Sequence, residues 1–90
     1  MSNDSLILRM DSALVAARSK DGALDLLAKA IRDNGRALER MPYPLVKEME
    51  RLASDLEIAS WQAEDGFLPA SGPILAQVDD WLRKLPRDAA

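Results

Sequence analysis

Apolar residues recur along this chain at three- and four-residue steps, in four stretches separated by clusters of proline, glycine and serine. That period places them on one face of a helix. In the first stretch, 5–19, the residues Leu6, Ile7, Met10, Ala13, Leu14 and Ala17 share a face. Leu8 and Val15, seven apart, form a second and narrower apolar stripe on the opposite side. Ser2, Asn3 and Asp4 each offer an oxygen that caps a helix start. The third stretch, 44–65, carries Leu45, Met49, Leu52, Leu56, Ala59 and Ala63 in a heptad-like rhythm, with Gly66 placed to end it and Phe67 to pack back on it. The fourth, 72–85, turns Ile74, Leu75, Val78, Trp81, Leu82 and Leu85 inward. Ser71 stands ready to cap its start and Pro86 stops it, leaving 86–90 as a frayed tail.

The second stretch holds two conflicting signals. Asn34-Gly35 reads as a helix stop. Yet Asp25, Lys29, Arg32, Asp33, Arg36, Glu39 and Arg40 stay in one arc of roughly 120° on both sides of it, when about 100° is counted per residue. A break would scramble that phase, so the pattern predicts one helix over 22–41, capped by Asp21 and running through Gly35. On such a helix Gly35→Ala is neutral or stabilising, whereas a stop with positive φ makes it destabilising. The apolar arc of Leu24, Leu27, Ala28, Ile31 and Leu38 is broad, as in a helix packed on two sides. Met41-Pro42-Tyr43-Pro44 then enforces an extended link into the third helix. The expectation is an all-α, antiparallel four-helix bundle forming a single domain over residues 1–90.

Composition supports helix over strand. Leu and Ala fill 28 of the 90 positions, against four Ile and three Val. It also narrows the chemistry. There is no Cys, His or Thr, so thiolate nucleophiles, zinc–thiolate sites and the commonest general base are excluded. Carboxylates, Lys and Tyr43 remain for acid–base work. A bundle of this size has little volume for a pocket, so the expectation is a protein that is not an enzyme and needs no cofactor or metal. No apolar run approaches the roughly 20 residues of a membrane span, and no basic leader precedes an apolar stretch. A cytoplasmic protein is therefore expected.

Charge is distributed unevenly. Residues 52–82 carry six acids, Asp55, Glu57, Glu64, Asp65, Asp79 and Asp80, and no base. Such a surface repels phosphate backbones and attracts basic partners. The basic residues Lys29, Arg32, Arg36 and Arg40 interleave with acids, the pattern of a solvated face rather than of a nucleic-acid interface. On the third helix, Ile58 and Trp61 fall on the side away from the core arc, among Ser54, Glu57, Glu64 and Asp65. An aromatic anchor ringed by polar groups is the usual make-up of a binding hot spot. Ser54, Glu57, Ile58, Trp61, Glu64, Asp65, Asp79 and Asp80 are therefore the candidate partner-binding residues. Trp81, beside Val78 and Leu85, reads as core.

The stretches ALDLLAKAI, MPYPLVKEMERLASDLEIA, the Gly66-Phe67 turn and ILAQVDDWLRKLP give residues 23–86 a rhythm that resembles the small all-helical immunity proteins of bacterial toxin systems, as in contact-dependent growth inhibition and some bacteriocin systems. The resemblance is one of cadence and composition and transfers no individual residue. It implies a monomeric or dimeric inhibitor whose partner is a basic toxin domain, commonly a nuclease. Three readings compete, in this order: a toxin-neutralising immunity protein; another small helical interaction module or regulator; and, last, an enzyme or a nucleic-acid binder. The second would use the Trp61 face, or the Leu8/Val15 stripe for self-association.

Overall fold

A computed structural model describes residues 2–19, 23–64 and 71–87. Among them the chain forms four helices and no strand: α1 (Asn3–Ser19), α2 (Leu24–Gly35), α3 (Tyr43–Glu64) and α4 (Ser71–Lys84). The helices close a ring in which α1 packs on α2 and α4, and α3 packs on α2 and α4. Neighbours run antiparallel. Gly35 at the end of α2 meets Met49 near the start of α3, while Arg32 reaches Glu57 further along it. The Trp81 indole N–H near the end of α4 donates to the Leu45 carbonyl at 3.0 Å, and Arg51 meets Gln77 at 3.2 Å. The result is the antiparallel four-helix bundle read from the apolar period.

The inner faces are those the spacing selects. Leu6, Ile7, Met10 and Leu14 from α1 and Leu24, Leu27 and Ile31 from α2 are buried. So are Met49, Leu52 and Leu56 from α3 and Val78, Trp81 and Leu82 from α4. Each fully buried Leu or Ile contributes about 1.5–3 kcal/mol of transfer free energy, so this cluster is the main source of stability. Leu85, just past α4, closes the core at its end.

The larger boundary differences are at α1 and α2; α3 starts at Tyr43 and α4 spans Ser71–Lys84, each within one residue of the sequence reading. Helix α1 starts two residues earlier, at Asn3. The Ser2 hydroxyl accepts from the Ser5 N–H at 3.2 Å, so Ser2 is the cap. Helix α2 starts at Leu24, with Ala23 in the N-cap position and no side-chain cap bond; the expected cap Asp21 and first residue Gly22 lie outside the described residues. The larger difference is at the other end, because α2 stops at Gly35 and does not run to Met41.

The physical reason is local. The Asn34 side-chain amide donates to the Ala30 carbonyl at 2.8 Å, engaging an acceptor of the helical ladder. The Ala37 and Leu38 N–H groups then bond three residues back, to Asn34 and Gly35, so the last turn tightens. Arg36 keeps right-handed angles (φ −68°, ψ −23°). The helical turning thus extends only to Leu38, and Glu39 and Arg40, which the charge phase also includes, lie in bends beyond it. Arg40 then takes a left-handed backbone, with φ 60°. At the α3 end, the Pro42 carbonyl accepts from the Leu45 and Val46 N–H groups, and Pro44 sits in the first turn, where its missing N–H costs nothing. The expected roles of Gly66 and Phe67 fall outside the described residues.

Candidate functional site

The outer face of α3 is built by what α3 buries. Leu52, Leu56 and Ala59 point into the ring, so positions half a turn away point to solvent. Trp61 is 61% exposed and Ile58 49% exposed, while Ser54 is exposed too. A tryptophan that open is uncommon in so small a core-forming chain, and its exposure follows from the ring: α2 and α4 flank α3 and neither covers its outer side. Glu64 is the last residue of α3, and Asp65 lies outside the described residues.

The acids of this region are less free than the charge count implies. Glu57 is half-buried and accepts from the Arg32 guanidinium of α2, which also lies 3.4 Å from the Ser54 hydroxyl. Asp55 pairs with Arg51 one turn away at 3.2 Å. Asp79 pairs with Arg83 at 3.2 Å and faces Arg18 of α1 at 4.0 Å. Asp79–Arg83 is the i,i+4 pair that the sequence spacing offers, whereas Lys84, spaced to meet Asp80, pairs instead with Glu48, and only the fold brings Arg32 to Glu57 and Arg18 toward Asp79. Asp80 is exposed on α4.

The structure brings Ser54, Glu57, Ile58 and Trp61 together on α3, and it does not bring Asp79 to them. Asp79 lines a groove of about 480 Å³ between α1 and α4, together with the apolar Ile7, Leu8 and Leu82 and the charged Asp4, Asp11, Arg83 and Arg87. In the closed ring that groove is on the side opposite the α2/α3 seam. Leu8 at 65% and Val15 at 55% exposure confirm the outer stripe of α1.

Three exposed or tied groups escaped the sequence reading. Leu26, next to the buried Leu27, is 62% exposed on α2. Tyr43 is 69% exposed at the start of α3, with the Lys47 ammonium 5.4 Å from its ring centre. Asn3, read as a possible cap, is 4% exposed and its side chain is engaged at both ends. Its amide donates to the Glu39 carbonyl at 2.9 Å and the Pro86 carbonyl at 3.0 Å, while its oxygen accepts from the Glu39 N–H at 2.9 Å. A local pattern carries no sign of partners 36 and 83 residues away.

Among the described residues no three His, Cys, Asp or Glu side chains gather where they would hold a metal ion. None of the helices described is long and apolar enough to cross a membrane. Compared with known proteins, the chain matches no family model, no curated protein and no solved structure. On the outer face of α3 the structure places an exposed indole and aliphatic side chain beside an interhelical ion pair.

Proposed function

We propose that this protein acts by binding another protein through the outer face of α3, and that it neutralises a cognate bacterial toxin domain as an immunity protein. The observation that carries the binding part is Trp61, more than half exposed beside Ile58 on a helix whose other faces are packed. Central aromatic anchors with a polar surround supply most of the energy at protein interfaces. The toxin part rests on the resemblance of residues 23–86 to small helical immunity proteins and on a net charge of −3, which favours encounter with a basic domain. Binding through Trp61 needs no catalysis, cofactor or metal from this chain.

The test is co-expression with the toxic C-terminal domain encoded immediately upstream of this chain's gene. The chain should restore growth and form a complex with that domain. Trp61→Ala should weaken the complex by about 2 kcal/mol or more, as hot-spot aromatics do, while its thermal unfolding stays near that of the unaltered protein. Absence of a toxic neighbour, or full rescue by Trp61→Ala, would count against the proposal.

A further inference from the structure

The chain has two asparagines, and the structure gives them opposite surroundings. Asn3 is buried and held at both ends of its amide. Asn34 is half-buried in the last turn of α2, and its amide donates to the Ala30 carbonyl at 2.8 Å. It is followed by Gly35, and that pairing has a chemistry of its own. A backbone nitrogen that follows an asparagine can reach the side-chain carbonyl carbon and close a five-membered ring. Glycine obstructs this least, because it has no Cβ, and asparagine is thermolabile for this reason. The α-helix forbids the step. Helical angles at Asn34 aim the Gly35 nitrogen away from the Asn34 side chain, and the Gly35 N–H is tied into the helical ladder. Ring closure therefore needs the last turn to open. That turn is held loosely. The Arg36, Ala37 and Leu38 N–H groups that close it reach their acceptors at 3.3, 3.2 and 3.3 Å, longer than the usual bond. Arg36 and Ala37 are exposed, and helix ends of this kind open at low cost. The packing of Gly35 on Met49 keeps the turn shut in most molecules.

We propose that Asn34 is a site of self-modification, converting to aspartate and isoaspartate through Gly35 in the molecules whose last α2 turn has opened, and that neither product restores the turn as it was. The Gly35 nitrogen attacks the Asn34 side-chain carbonyl carbon. A C–N bond forms, the bond to the amide nitrogen breaks, and ammonia leaves with the proton that the Gly35 nitrogen gives up. Water then adds to one of the two carbonyls of the succinimide ring and reopens it. Cleavage at the side-chain carbonyl leaves aspartate. Cleavage at the backbone carbonyl leaves isoaspartate, with one more carbon in the main chain. Nothing is oxidised or reduced, and water is the only co-reactant. Either product loses the donor to Ala30 and sets a negative charge beside Asp33 at the negative end of the helix. The added carbon of isoaspartate also displaces Gly35 from its seat against Met49. The packing that excludes a Cβ at position 35 thus leaves a reactive pair at the end of α2.

This inference rests neither on the toxin reading nor on the α3 face. The full chain is incubated at mildly alkaline pH in buffer and in urea, then cleaved after lysine. Fragment 30–47 carries Asn34 and fragment 1–20 carries Asn3, so mass spectrometry follows each amide-to-acid change separately. Asn34 should convert in buffer at least about tenfold more slowly than in urea, while Asn3 stays unchanged in buffer. Leu38→Ala removes a buried side chain just past the turn and should speed conversion in buffer severalfold, with the rate in urea unaltered. Leu14→Val weakens the core within α1 and should leave the rate in buffer near that of the unaltered protein. Circular dichroism confirms that both variants are folded. Gly35→Ala should slow conversion in urea, where contact with Met49 no longer counts. The converted form, separated by its added negative charge, should unfold at a lower temperature. Equal rates in buffer and urea, no conversion in buffer, or no acceleration by Leu38→Ala overturns the proposal. Acceleration by Leu14→Val would place the reaction in globally unfolded chains and overturns it too, as does a converted form that unfolds at the original temperature.

Discussion

Asn3 and Gly35 show how single side chains, or the lack of one, set this fold. Asn3 is buried and spends its donors and acceptor on the backbone of two distant segments. Removing it strands the polar backbone groups of Glu39 and Pro86, and an unsatisfied buried group costs about 1–3 kcal/mol. Asn3→Ala should therefore lower stability by about 2 kcal/mol in urea unfolding. Asn3→Asp should be worse at neutral pH, because it sets a buried negative charge against two carbonyl oxygens to which it cannot donate; a stability equal to that of the unaltered protein would show the donor bonds to matter little. Gly35 is needed for a different reason than the sequence suggests. It has no left-handed φ, and a methyl group there would overlap the Met49 sulfur, itself buried and close to Trp81. The helix-propensity gain of up to about 1 kcal/mol is outweighed by overpacking at about 1–3 kcal/mol. Gly35→Ala should thus destabilise, and Met49→Val should soften the loss, so that the two changes are not additive. Neither role is visible in the local sequence, because each depends on a neighbour brought in by the tertiary fold.

At the scale of elements, the period of apolar residues carries most of the fold. It selects the buried faces of all four helices and separates Trp81 from Trp61, although the two tryptophans are chemically identical. That separation is directly measurable. Trp61→Phe leaves Trp81 as the only indole, fully buried and hydrogen-bonded to the Leu45 carbonyl. Its emission should be blue-shifted and resist acrylamide, whereas the unaltered protein should show an added red, quenchable component. Identical quenching of the two proteins would mean Trp61 is covered. The end of α2 was less legible, since its charged residues keep a helical spacing in the sequence past the point where the helix stops. The candidate site was legible in part. Exposure of Ile58 and Trp61 follows from the angle they make with the core arc of α3. The pairing of Glu57 with Arg32 does not, because it depends on α2 and α3 lying side by side in one register.

Across the whole molecule, ion pairs between helices lie at the rim rather than in the core. Lys84 grips Glu48 at 2.8 Å across α3 and α4, and Arg32 grips Glu57 across α2 and α3. Partly exposed pairs of this kind contribute about 0–1 kcal/mol each, so the apolar interior sets the stability and the pairs help define which levels of neighbouring helices meet. For the same reason a tally of charge along the chain misjudges the surface. The segment 52–82 holds no base of its own, yet Glu57, Asp55 and Asp79 are all partnered by arginines from outside it. The molecule presents faces of mixed sign, so the net charge of −3 describes none of them.

The Asn3 amide bond to the Pro86 carbonyl also makes the order of the helices along the chain a matter of choice. The first residue of α1 and the segment just past α4 touch at 3.0 Å, so a few glycines and serines can join them. The chain can then be opened within the connection that now links α3 to α4. Adjacent termini of this sort generally tolerate circular permutation. A permuted chain running from α4 through the new link into α1, α2 and α3 should unfold cooperatively and retain the emission of buried Trp81. Loss of cooperative unfolding in that chain would show that the original α3–α4 connection does more than hold two helices together.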